Sequence, residues 1–246
     1  MKRRFPVIIL NSLTTDFKFI ARDPMLLVAS VAPVLLVIIL RLVFPQAADI
    51  LLRNTGFDLY LYYPVVAITF ITLIPMLIGM VYAFILLDEN DTHILQVISV
   101  TPAGKRNFIL MRMIIPVILS FVFTIIAIAF TDPVPTEGWL RTLVITVLFS
   151  TQSTFIFLFI GSLAGDKIEG LALTKLYGIF LVAVPLGLIV HHPWNYLAFF
   201  SPSYWIAWSW IVPSPVYSIW YAIIAVLLTS AGMIFFLRHF INKQTF

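Results

Sequence analysis

Apolar stretches of about twenty residues alternate with short polar ones along almost the whole chain, and this rhythm predicts helices that cross a bilayer, since about twenty apolar residues span its ~30 Å hydrocarbon layer. The spans fall at about 24–44, 61–87, 109–130, 139–164, 176–190 and 216–237. Upstream, Phe5, Ile9, Leu13 and Phe17 recur at i, i+4, with Asn11, Thr15, Lys18 and Arg22 roughly opposite. That stripe predicts a helix over 5–22 lying in the membrane interface; the alternative is the frayed entry to the first span. Arg22-Asp23-Pro24 separates it from that span, because Pro suits a first helical turn. The polar breaks have turn chemistry: Asn54-Thr55-Gly56 with Asp58, Thr131-Asp132-Pro133, and GDKIEGLALTK at 165–175. Residues 191–215 hold four of the tryptophans and four prolines, too interrupted for one spanning helix. Because Trp and Tyr favour the headgroup level, this segment is read as an external re-entrant or interfacial helical element.

Composition settles the solvent. With 246 residues, 61% of them hydrophobic and 11% charged, and a mean hydropathy of +1.06, the chain has more apolar surface than a soluble core of its size can bury. The fold class is therefore an all-α integral membrane protein, and 1–246 form one transmembrane domain. The net charge of +4 forms no patch interleaved with aromatics, so nucleic acid is no partner. There are no cysteines, which removes disulfides, thiolate catalysis and Cys-based metal sites. The basic start has too short an apolar run behind it for a cleaved signal.

Most of the 15 bases gather in the N-terminal segment, two alternate loops and the C-terminal tail, leaving Arg41, Arg53 and Arg141 on the other side. By the positive-inside tendency both termini are cytoplasmic and the tryptophan-rich segment is external. Arg41, near the end of its span, is read as snorkelling to headgroups.

Between the second and third spans lies LLDENDTHILQVISVTPAGKRNFILMRM, residues 86–113, where Asp88, Glu89 and Asp91 precede Lys105, Arg106 and Arg112. Asp91 or Thr92 can cap a new helix, Ile94, Leu95 and Ile98 share one side, and Thr101-Pro102-Ala103-Gly104 ends it. From the residues alone this is either a docking helix or a solvated loop whose apolar side rests on the bilayer.

The stretch resembles the corresponding loop of type-2 ABC transporter (ABC-2) permease subunits. There an acidic element and a Gly-Thr-Leu-like run precede Val-Thr-Pro; here Asp88-Glu89-Asn90-Asp91, Thr92-His93-Ile94-Leu95 and Val100-Thr101-Pro102 stand in those places. His93 departs from the Gly-Thr of many members. The interfacial helix, six spans and external element match in architecture. The resemblance implies a coupling helix over 88–102 that seats on a separate ATPase subunit through Asp88, Glu89, Asp91, Leu95, Ile98 and Pro102, with Asp166, Lys167 and Glu169 as a smaller second contact. It implies two ATPase copies, a second copy of this chain, Mg-ATP on the partner with no cofactor on this chain, and a multi-pass place in the plasma membrane of a bacterium or archaeon. The expected function is export of a lipophilic drug, peptide or lipid-linked cargo.

No G-x-x-x-x-G-K-[ST] occurs, so the chain has no ATP site of its own. No paired carboxylates or Ser-His-Asp set points to an enzyme. His191, His192 and Asn195 lack further ligands in another span, so no metal is expected. Deep in the membrane the polar cluster is Ser150, Thr151, Gln152, Ser153 and Thr154, which either joins helices or lines a translocation path at a dimer interface. An ion-coupled carrier or channel has few intramembrane acids or histidines to use. A membrane assembly factor without transport is the remaining class.

Overall fold

A computed structural model describes residues 16–92, 104–132, 138–189 and 198–243. Helices account for nearly all of them. After a short helical stretch at 16–22, α1 (Pro24–Ile38) passes through a π turn (Ile39–Val43) into α2 (Phe44–Thr55) without a break. A 3-10 turn (Leu59–Tyr62) leads to α3 (Tyr63–Asp91), followed by α4 (Gly104–Thr131), α5 (Trp139–Leu163), α6 (Lys167–Ile189), the short α7 (Pro202–Ile211) and α8 (Pro215–Lys243). Among the described residues six helical runs, α7 and the stretch at 16–22 not among them, are long and apolar enough to cross a membrane. The expected fold class is the observed one.

Local chemistry explains the boundaries. Asp23 caps α1, its Oδ1 accepting from the backbone N–H of Met25 (2.9 Å) and Leu26 (3.3 Å), with Pro24 in the first turn. Gly56, at φ 72°, takes the left-handed conformation that closes α2. Beyond 44, where the first span is expected to end, the helix itself continues to Thr55. The fifth starts at Lys167, well before the expected 176. Asp166 Oδ1 accepts from the N–H of Glu169 (2.8 Å), and Glu169 Oε2 accepts from the N–H of Gly165 (2.6 Å), a capping arrangement that turns most of the presumed loop into helix.

α3 is the hub. Its most apolar window is 83% buried, against 11% for α8. It packs on α5, α4, α1 and α6. At Gly79 the backbones of α3 and α5 approach so closely that a Cβ would collide with the Ser153 carbonyl, a small-residue contact of the kind that lets membrane helices pack by van der Waals contact. The tryptophan-rich element packs inward, as a re-entrant element does: α7 inserts among α5, α6 and α8, and Trp210 is fully buried edge-on to Phe149 (centroids 5.9 Å apart). Arg141 holds it there. One guanidinium nitrogen donates to the carbonyls of Ser209 (3.1 Å), Trp210 (2.9 Å) and Val212 (2.7 Å), satisfying orphan acceptors at the α7 C-terminus.

Candidate functional site

Both charged loops leave the same end of the bundle, and the side chains there form two adjoining ion clusters. In the inner one, Arg112 at the start of the third span donates to Asp16 and Glu89 with separate nitrogens. Its members are nearly sealed from solvent, at 4%, 2% and 7% exposure for Arg112, Asp16 and Glu89. In the outer one, Lys167 Nζ lies 2.8 Å from Asp23 Oδ2 and 2.7 Å from Asp88 Oδ2. Adjacent positions, Asp88 and Glu89, thus face different clusters and tie them together.

The electrostatics differ between the two. Burial raises the Asp16 carboxyl above its ordinary range, opposed by the attraction and hydrogen bond of Arg112. Asp23 lies below its ordinary range, chiefly through the Lys167 hydrogen bond and further through the Leu26 and Met25 N–H groups, against a smaller cost of burial. The inner cluster ties together the helices on either side of the 92–103 connection: Glu89 stands in the last turn of α3, Arg112 about two turns into α4, and their ion pair joins the two.

The residues expected to contact an ATPase are therefore dissimilar in position. Asp91, Asp166 and Glu169 are exposed. Asp88 and Lys167 are partly exposed and paired with each other. Glu89 differs from them: its carboxylate is buried against Arg112 instead of open at the surface. Leu95, Ile98 and Pro102 lie outside the described residues, as do His191, His192 and Asn195. The inner triad was missed in the sequence, where Arg112 reads as one more flanking base; a charge displaced into the apolar run after Lys105 and Arg106 was the available signal.

The polar cluster of the fourth span joins helices within one chain. Gln152 Nε2 donates to Thr229 Oγ1 of α8 (2.8 Å), and Thr154 Oγ1 donates to the Met113 carbonyl of α4 (2.8 Å). Ser150 and Thr151 return their hydroxyl protons to their own helix, on the carbonyls of Thr146 and Leu148. Ser150 and Gln152 are fully buried.

Comparison with known proteins adds what geometry does not. The family described as fluoroquinolones export permease protein Rv2686c-like matches residues 16–238. Two relatives from Mycobacterium tuberculosis, the fluoroquinolones export permease protein Rv2686c of strain H37Rv and MT2760 of strain CDC 1551, are each 27% identical over 219 residues, covering 83% of this chain and 86% of the relative. No solved structure matches. The matched region begins at Asp16 and runs through all six spans, taking in both ion clusters, and the chain belongs to the Rv2686c-like family of fluoroquinolones export permeases.

Proposed function

We propose that this chain is the membrane subunit of an ATP-driven exporter of the ABC-2 type, with both termini cytoplasmic, working as a pair of permeases with two ATPase subunits. Membership of the export permease family carries the reading. Its cargo is a lipophilic drug, and the names of the mycobacterial relatives make a fluoroquinolone the first to test. Mg-ATP binds the partner.

The clusters support a division of labour at the charged end. The partner seats on the 88–102 element and on the exposed Asp91, Asp166 and Glu169. Force on that element reaches the bundle through Glu89 and Arg112 into the second and third spans, and through Asp88 and Lys167 into α6 and the Asp23 cap of α1. An ion-coupled carrier is disfavoured by the same geometry. Among the described residues the buried carboxylates are Asp16 and Glu89, both at the charged end and none at mid-membrane where a proton or sodium relay needs one.

The test is gentle detergent purification with identification of whatever copurifies in stoichiometric amount, followed by fluoroquinolone accumulation in cells. A P-loop ATPase in the eluate is expected, with lower drug accumulation when both chains are expressed. The double reversal Asp88→Lys, Asp91→Lys is expected to leave a folded chain while reducing ATPase stimulation at least tenfold. Unchanged partner binding and stimulation would reject the coupling role.

A further inference from the structure

At the end of the bundle opposite the ion clusters, Arg41 stands roughly 26 Å along its helix from Pro24, at 1.5 Å per residue. That is near the far boundary of a ~30 Å hydrocarbon layer. The π turn at Ile39–Val43, where the Phe44 N–H reaches back to the Ile39 carbonyl, puts an irregularity in the helix at this point. The side chain is exposed and makes no ion pair among the described residues. It borders two concavities. On one side is an apolar groove of about 350 Å³ between α1 and α4, walled by Val34, Val37, Leu42, Ile126 and Phe130. On the other is a pocket of about 250 Å³ formed with Phe44, Tyr60, Tyr63 and Thr131.

We propose that this pair of concavities binds an anionic phospholipid with a hydroxylated headgroup, its phosphate on Arg41. Three observations define the occupant. The groove walls are spaced along the axes of two spans, Val34 to Leu42 on one and Ile126 to Phe130 on the other, so the groove runs the way an acyl chain runs. The charge sits at its outer end, where a phosphate sits and where an unpaired arginine needs an anion. The adjoining pocket is acceptor-rich: the Tyr60 hydroxyl donates to Asp49 Oδ1 (3.1 Å) and the Tyr63 hydroxyl to the Thr131 carbonyl, leaving phenolic lone pairs for hydroxyl donors of a headgroup. A second copy of the chain is a poorer occupant, because an isologous contact centred here would bring two Arg41 guanidinium groups together. The site is independent of the transport reading and stands or falls separately.

The chain reconstituted in bilayer discs of equal phosphatidylglycerol and phosphatidylcholine, then extracted and analysed for retained lipid by mass spectrometry, tests it. Wild type is expected to retain phosphatidylglycerol about fivefold over phosphatidylcholine, the factor one basic residue near an anionic surface supplies. Arg41→Lys keeps most of that preference, and Arg41→Gln falls to the bulk ratio. Ile126→Trp, which fills the groove and leaves the charge, lowers the total lipid retained and decides the matter if Arg41→Gln fails to fold. Folded Arg41→Gln with wild-type enrichment, folded wild type at the bulk lipid ratio, or folded Ile126→Trp with wild-type lipid retention overturns the proposal. So does efficient crosslinking between two copies through Ile38→Cys, introduced into a chain that has no other cysteine.

Discussion

Arg112 separates stability from function at a single position. Its removal strands two buried carboxylates, and breaking a buried pair costs about 3–5 kcal/mol, whereas replacing a whole buried ion cluster by apolar residues of similar size is often neutral. Arg112→Met is therefore expected to lower the thermal midpoint in detergent sharply. The triple replacement Asp16→Leu, Glu89→Leu, Arg112→Met is expected to recover most of the loss while ATPase stimulation stays low, because apolar contact does not fix the two loop ends in one geometry. Asp23 sets a pH dependence. Its folded pKa lies below the unfolded value, so the stability it contributes is complete above about pH 4, the unfolded carboxylate range, and is lost as the pH falls through the folded pKa. Melting curves between pH 7 and pH 3 are expected to fall less steeply at the acid end for Asp23→Asn than for wild type. Lys167→Met should flatten the same limb, since the Lys167 hydrogen bond is the main cause of the shift.

Among elements, the contact of α5 with α8 sets a side-chain hydrogen bond amid aromatic packing of Phe155 and Phe159 on Phe236. The Gln152–Thr229 bond is buried, and hydrogen bonds between membrane helices are worth about 0.6 kcal/mol on average. Gln152→Leu and Thr229→Val are each expected to lower the midpoint slightly, with the double variant no worse than the larger single loss; thermal melts of the three decide it. A change in drug selectivity at unaltered stability would return Gln152 to a translocation path. α7 teaches a different lesson. Its tryptophans follow the pattern of a headgroup belt, yet Trp210 is buried, because Arg141 caps the C-terminus of the element and Phe149 receives its ring. Arg141 and its acceptors lie about seventy residues apart, beyond the reach of any local pattern.

At the scale of the whole molecule, the six spans were legible because each must satisfy the bilayer's thickness on its own, a constraint written into every apolar run. Two helices run beyond the expected span limits for local reasons. The first continues past 44 with Pro45 in a first turn, where a missing N–H is tolerated, and Asp166-x-x-Glu169 reads as a charged loop although its spacing is that of a helix cap. The ion clusters were the least legible part. Each is assembled from segments far apart in the chain, and a base beside an apolar run carries the same letter whether it meets water, a headgroup or two buried acids. Arg112 and Lys175 are both bases beside apolar runs, yet Arg112 is buried and Lys175 exposed.

The centrality of α3 has a temporal side. It is the second span to leave the ribosome, but the surface that fits Gly79 belongs to α5 and the lysine that joins Asp23 to Asp88 belongs to α6. During synthesis the hub must wait in lipid with its closest-packing face uncovered, and the outer cluster cannot close before the fifth span arrives. A chain stopped short of Lys167 leaves Asp23 and Asp88 without their shared cation, so the first and second spans are joined at this end only once the fifth has entered.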